Sequence, residues 1–319
     1  MRDPSGARNE HASQRPSLIT LLHVSDLHFG PPFLPEVAEA VQKFAAQLQP
    51  TAIVASGDFT QRAREDQFRD ARAFLDRFPR VPVVVTPGNH DVPLYRVAER
   101  LFTPFELYKK HISPELNTVT RIPGAVIVAL NSMAPLRHTV NGHISREQLE
   151  YARREFAATD EETLRIIVAH HHFAPPPDWE GGDVMPGAKR ALDAFTAMKV
   201  DVIMGGHLHR AYIGSSLDVY AGEDREHGIT IVQSGTTTSR RGRAREAEKN
   251  SFNVVRLDRG TIRVTQYMYF HDVGHFVPTS RHVFFRRGRP PAGTLEAQVE
   301  AILAENRNEG IDADLRLSS

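Results

Sequence analysis

No cysteine occurs anywhere in the 319 residues, which excludes disulfides, thiolate nucleophiles and cysteine-ligated metals. The same absence leaves the redox compartment open, since a cysteine-free chain tolerates either state. Long hydrophobic runs are also missing, and none approaches the roughly 18 residues that a membrane span needs. The first 17 residues are polar and carry neither the apolar centre nor the small-residue cleavage site of a secretory signal. These features predict a cytoplasmic protein with no membrane partner. Net charge is absent too: Lys plus Arg equals Asp plus Glu, 39 each, so composition alone gives no pull towards nucleic acid.

What the chain does contain is one design used five times, an apolar run that ends in a ligand-bearing turn. The run from Leu18 to Val24 leads into Ser25-Asp26-Leu27-His28, and Ala52 to Ala55 leads into Ser56-Gly57-Asp58. Val81 to Val85 precedes Gly88-Asn89-His90-Asp91, Arg165 to Ala169 precedes His170-His171-His172, and Asp201 to Met204 precedes Gly205-Gly206-His207-Leu208-His209. Such runs read as buried strands, so the turns gather at strand C-terminal ends, where open α/β sheets place their chemistry. Imidazole, carboxylate and amide oxygen without thiolate suit Mn, Fe or Zn. Asp26, His28, Asp58, Asn89, His170, His207 and His209 are too many for one ion once water is counted. Two ions sharing a carboxylate fit better.

Together, Asp-x-His, Gly-Asp, Gly-Asn-His-Asp, a strand-end His and Gly-His-x-His resemble the calcineurin-like metallophosphoesterases, over roughly residues 18 to 270. The resemblance implies an α/β fold, a four-layer αββα sandwich of two mixed β-sheets flanked by helices. It implies two divalent or mixed-valence ions, one held by Asp26, His28 and His209, the other by Asn89, His170 and His207, with Asp58 bridging them. A bridging water that ionises near neutral pH would then attack phosphorus. His90 is expected to stabilise the transition state or protonate the leaving oxygen, and Asp91 to orient His90 or its turn. His171 is the alternative ligand to His170 and otherwise lies near the substrate. His172 stands where the family usually has Pro.

Two further segments resemble the bacterial cyclic-nucleotide phosphodiesterase branch. Asn141-Gly142-His143-Ile144-Ser145-Arg146-Glu147-Gln148-Leu149 is similar to its Gly-x-Leu-Ser-x-Glu-Gln-Leu segment, with Ser145 and Gln148 spaced as a capping box. The turn Ser234-Gly235-Thr236-Thr237-Thr238-Ser239-Arg240-Arg241 and the following strand Asn250-Ser251-Phe252-Asn253-Val254-Val255 are similar to that branch as well.

Strand and helix alternate at first, with strands at 18–24, 52–55 and 81–85 and helices near 36–48 and 64–77. A hairpin follows at 117–131, then helices from Ser145 and at 187–198 before strands at 165–169 and 201–204, and finally strands alone at 210–216, 228–233, 251–257 and 261–270. One catalytic domain over 18–289 is expected, after a disordered extension at 1–17. A helical appendage at 290–319 either packs on that domain or joins a second copy into a homodimer.

Candidate substrate contacts lie outside the ligand turns. Trp179, the only tryptophan, sits in the long loop from Phe173 to Gly187 and either stacks on a nucleobase or anchors that loop. Arg240 and Arg241 open a basic cluster that holds a substrate phosphate if it folds over the ions. Otherwise it is a solvated loop, the reading also given to Arg286, Arg287 and Arg289. His23, inside a strand, reads as structural. The expected activity is metal-dependent hydrolysis of a small-molecule phosphodiester, a 3′,5′-cyclic nucleotide or other small diester. A phosphomonoesterase or nuclease uses the same metal shell, although a nuclease needs a basic groove that neutral composition disfavours. A lipid-precursor pyrophosphatase typically carries Arg where this chain has His90, and a non-catalytic scaffold should lack ligands that are all present here.

Overall fold

Runs of Val, Ile, Leu and Ala that are apolar at consecutive positions can only be satisfied by burial on both faces, which is how the strands are used. The computed structural model describes residues 18–135, 141–175, 184–220 and 228–287. The expected terminal segments and Trp179 lie outside the described residues.

The first half builds β1 (Ile19–Val24), α1 (Pro35–Leu48), β2 (Ala52–Ala55), α2 (Glu65–Asp76), β3 (Val83–Val85), α3 (Val97–Phe102) and α4 (Glu106–His111). The hairpin β4 (Thr118–Ile122) and β5 (Ala125–Ala129) follows, then α5 (Arg146–Ala157), β6 (Leu164–Val168), α6 (Ala188–Ala197) and β7 (Val202–Gly205). Strands β8 (Tyr212–Ser215), β9 (Thr230–Gln233), β10 (Ser251–Leu257), β11 (Thr261–Phe270) and β12 (His275–Phe285) complete the described chain. They form two six-stranded mixed sheets, ordered β12-β11-β10-β1-β2-β3 and β4-β5-β6-β7-β9-β8. In the first, β1, β2 and β3 are parallel and β10 returns antiparallel beside β1. In the second, β5, β6, β7 and β9 are parallel, with β4 and β8 antiparallel at the edges.

Alternation along each strand divides the core into three layers. Ile19, Leu21 and Val54 meet Ile127, Val168 and Met204 between the sheets. Leu22, Val24 and Ile53 point the other way and pack with Val37, Val41 and Phe68 of α1 and α2. Ile167 and Ile203 pack with Leu149, Phe156, Leu192 and Phe195 of α5 and α6. The result is the αββα sandwich. Its helices follow from sequence: Pro35 starts α1 with φ preset for a helix, and Val37, Ala38, Val41 and Ala45 give it one buried stripe. Ser145 caps α5 by accepting the Gln148 N–H while Gln148 Oε1 accepts the Ser145 N–H.

Three elements go beyond the sequence reading. Helices α3 and α4 are six residues each, and α3 buries no residue while α4 buries Tyr108 alone, so no apolar period announces them. Edge strand β12 carries Pro278 beside a register shift, where a missing N–H costs no central ladder bond. The expected solvated loop at Arg286 is corrected: its guanidinium is buried in a two-bond ion pair with Asp201, at 2.9 and 3.2 Å. Among the described residues, no helix is long and apolar enough to cross a membrane.

Candidate metal centre

The turns after β1, β2 and β3 of one sheet meet the turns after β6 and β7 of the other. Five of the seven expected ligands hold left-handed backbone: Asp26 at φ 52°, His28 at 50°, Asp58 at 54°, His207 at 75° and His209 at 55°. Non-glycine residues pay for that conformation with strain, on the order of 1 kcal/mol or more, and such strain collects at functional sites. Two glycines make room. A Cβ on Gly88 would collide with the Asp58 carboxylate, and one on Gly206 with Ser25 Oγ and Asp26 Oδ2.

Asp26, His28, Asp58 and His209 form one tight group, all buried, with ligand atoms within 4.8 Å of one another. His28 Nε2 lies 3.8 Å from Asp26 Oδ1 and 3.6 Å from Asp58 Oδ2, and His209 Nε2 lies 3.5 Å from Asp26 Oδ1. The other oxygen of Asp58 faces a second group: Oδ1 is 3.5 Å from His170 Nε2. Asn89 Oδ1 lies 3.2 Å from that same nitrogen and 3.0 Å from His207 Nδ1. The structure thus brings all seven expected ligands together, with Asp58 between the two sets.

These donors fit cations. Asp26 Oδ1, Asp58 Oδ2 and His28 Nε2 are buried without a hydrogen-bond partner, a costly state for carboxylate oxygens unless positive charge compensates. His170 Nδ1 donates to the Ser56 carbonyl at 2.8 Å, so Nε2 is the nitrogen that faces Asp58 and Asn89. Burial pushes the Asp58 carboxyl well above the usual range, and the nearby charges of Asp26 and Asp91 add to it. Burial likewise holds His28, His207 and His209 well below the ordinary imidazole value, which keeps them neutral as ligands must be.

His90 stands at the edge of the first group. Its backbone N–H donates to Asp58 Oδ1 at 2.8 Å, its Nδ1 pairs with the Gln61 carbonyl at 2.9 Å, and its ring meets that of His28 edge-on at 4.7 Å. Nε2 is the nitrogen left for chemistry. Burial lowers the ring from the ordinary imidazole value to about 4. Of the two roles expected for Asp91, its contacts match orientation of the turn: the carboxylate accepts N–H groups from Gly88, Phe59 and Thr60 at 2.9 to 3.2 Å and does not touch the His90 ring.

Residues to which the sequence reading gave no role at the site brace the ligand turns. His23, read as structural, bonds Ser56 Oγ at 2.9 Å, on the residue whose carbonyl holds His170. Thr236 and Thr238 donate to the carbonyls of Asp26 and Leu27 at 2.9 and 2.7 Å, and Thr237 Oγ1 accepts the Ser25 N–H. The Gly-Thr turn was the visible signal for these three. Among the expected substrate contacts, His171 is fully buried, with Nδ1 2.8 Å from Ser132 Oγ and its ring 4.6 Å from that of His207. Arg241 is half-buried, donates to Gln61 Oε1 at 3.2 Å, and its charge acts on Asp58 and Asp26. Arg240 is exposed.

Comparison of the sequence with curated proteins finds no match. Solved structures share the fold. The purple acid phosphatase from yellow lupin (Lupinus luteus) seeds is 15% identical with a TM-score of 0.60 over 88% of this chain, which spans only 57% of that protein's length. A dimetal phosphatase from Danio rerio is 12% identical with a TM-score of 0.56, over 84% of this chain and 99% of its own. The anchor in the inner membrane complex of Plasmodium is 12% identical with a TM-score of 0.53, over 85% and 90%. At these identities the likeness concerns fold alone. Residues 19–211, more than half of the chain, match the sequence model of the calcineurin-like phosphoesterases, and the chain belongs to that family.

Proposed function

We propose that this protein is a two-metal phosphodiesterase acting on a 3′,5′-cyclic nucleotide or another small diester. The observation that carries the reading is Asp58, which turns one oxygen towards His28 and the other towards His170. Asp26, His28 and His209 would hold one cation, Asn89, His170 and His207 the other, with Asp58 shared. Cations bound there supply charge for the phosphoryl oxygens and make water a nucleophile near neutral pH.

The chain's own groups do the rest. Arg241 adds positive charge beside the carboxylates, where a phosphoryl anion would sit. His90 keeps Nδ1 on the Gln61 carbonyl, so only Nε2 can exchange a proton with a leaving oxygen. In the resting protein the ring is neutral, and a bound phosphoryl anion favours the protonated form that an acid role needs. The cyclic-nucleotide preference draws on the resemblance of the segments at 141–149 and 234–241. A monoesterase is the second reading, favoured by the word phosphatase in the names of two proteins that share the fold.

A substrate panel decides between them. Protein loaded with Mn, Fe or Zn is assayed on cyclic AMP, bis(4-nitrophenyl) phosphate, 4-nitrophenyl phosphate and single-stranded DNA. Higher kcat/KM on the diesters is expected, and a preference for the monoester over every diester defeats the proposal.

A further inference from the structure

A cavity of about 200 Å³ opens beside His90, walled by Gln61, Arg62, Arg64, Tyr95 and Arg96. It exceeds the roughly 150 Å³ that accommodates benzene in an engineered protein cavity, so a ring with a substituent fits. Its guanidinium groups are not equivalent. Arg64 is paired with Asp66 at 3.2 Å, and Arg96 with Glu99 at 2.8 Å and with the carbonyls of Arg62 and Ala63 at 3.3 and 2.7 Å. Arg62 instead lies over the Tyr95 ring, 4.8 Å from its centroid, and no carboxylate among the described residues pairs with it.

A line of polar and positively charged side chains runs outward from the metal-ligand group. Arg241 reaches Gln61 Oε1, Gln61 forms the wall next to His90, and Arg62 follows Gln61 in the chain. His90, which lines the cavity and meets the His28 ring at 4.7 Å, therefore stands between the ligand group and a positively charged cavity with an aromatic rim. We propose that this cavity is the subsite for the leaving group and that it selects leaving groups that carry a second negative charge on or beside a ring. The inference rests on the diesterase reading, in which His90 faces the leaving oxygen. Charge-assisted contacts to a guanidinium that lacks another partner carry the selectivity, and Tyr95 holds that guanidinium in place.

Two chromogenic diesters test it, methyl 4-nitrophenyl phosphate and methyl 3-carboxy-4-nitrophenyl phosphate, which differ by one carboxylate on the leaving group. The ratio of their kcat/KM values is measured for the parent and for Arg62→Glu and Arg62→Lys, so that intrinsic reactivity cancels between proteins. The charged ester is expected to lose about tenfold relative to the neutral one in Arg62→Glu, mostly in KM, and far less in Arg62→Lys. Equal ratios in parent and Arg62→Glu overturn the proposal. If the metal-loaded parent is no more active than Asp58→Asn on either ester, the diesterase reading fails separately. Calorimetric titration with 5-hydroxy-2-nitrobenzoate then judges the subsite: weaker binding to Arg62→Glu than to the parent supports it, and equal or absent binding ends it.

Discussion

His170 donates its Nδ1 proton to the backbone carbonyl of Ser56 at 2.8 Å, and that bond decides which nitrogen the ring offers to Asp58. A carbonyl can only accept, so the tautomer is fixed without a second carboxylate. The same preference for backbone partners recurs at His90, whose Nδ1 meets the Gln61 carbonyl. Both imidazoles thus keep Nε2 for the site.

Asp58→Ala removes the carboxylate that faces both ligand groups. Metal content measured by elemental analysis should fall, and kcat/KM on a nitrophenyl diester should drop by a factor on the order of 10² to 10³ with metal present. A parental rate would falsify the shared-carboxylate assignment.

His90→Ala should separate chemistry from metal binding. The ring contributes no expected ligand atom, so metal content should stay near parental while kcat falls by about 10² to 10⁴, the usual range for a positioned acid or base. Loss of both ions together with activity would mean that His90 supports the ligands.

Chelation should destabilise the fold as well as stop turnover. Buried carboxylate oxygens without partners become uncompensated when cations leave, and binding linkage alone supplies about 2.7 kcal/mol at a free metal concentration 100 times Kd. Differential scanning calorimetry should show a lower Tm with chelator and recovery on adding Mn or Zn. An unchanged Tm across that cycle contradicts the buried-charge argument.

Arg286→Ala tests a role the sequence did not disclose. It leaves the buried Asp201 carboxylate with the Arg165 N–H at 2.9 Å but without its counter-charge, which should cost about 3 to 5 kcal/mol in urea denaturation, whereas Arg286→Met with Asp201→Leu, which removes the buried charge as well, should cost less. Neither change alters a ligand, so kcat per folded molecule should be retained.

Ser145→Ala should cost about 1 kcal/mol through loss of the N-cap of α5. Gln148→Ala should cost more, because its amide also donates to Asn117 Oδ1 and the Asn131 carbonyl, at 2.8 and 2.7 Å. Equal midpoints for the two variants would show that those outer bonds add nothing.

Much of this was legible because burial on two faces leaves an unmistakable trace. Strands β1, β2, β6 and β7 are short and mostly apolar, broken by Thr20 and His23 in β1 and by Arg165 in β6, and each ends within a few residues of a polar candidate ligand. The candidate ligands, which the structure brings together, followed from those endings. The left-handed backbone at Asp26, His28 and Asp58 did not, since nothing in a side chain's chemistry announces a strained φ. Nor did the partners Ser56 and Gln61, which act through backbone carbonyls that every residue possesses. Edge strand β12 escaped because it mixes Pro278, Arg281 and His282 with half-exposed apolar residues and so lacks a clean alternation. Arg286 escaped because an arginine-rich stretch looks alike whether it is solvated or paired.

The antiparallel return of β10 to the side of β1 has a consequence for how the protein matures. Until that late strand is in place, β1 is an open edge and the loop it positions has no settled course. Asp26 and His28 are made early yet wait for residues synthesised long afterwards, including the threonines that clasp their carbonyls. Metal binding at this candidate centre would thereby be a terminal event, and a truncated product lacking the return strand is expected to hold no ion there.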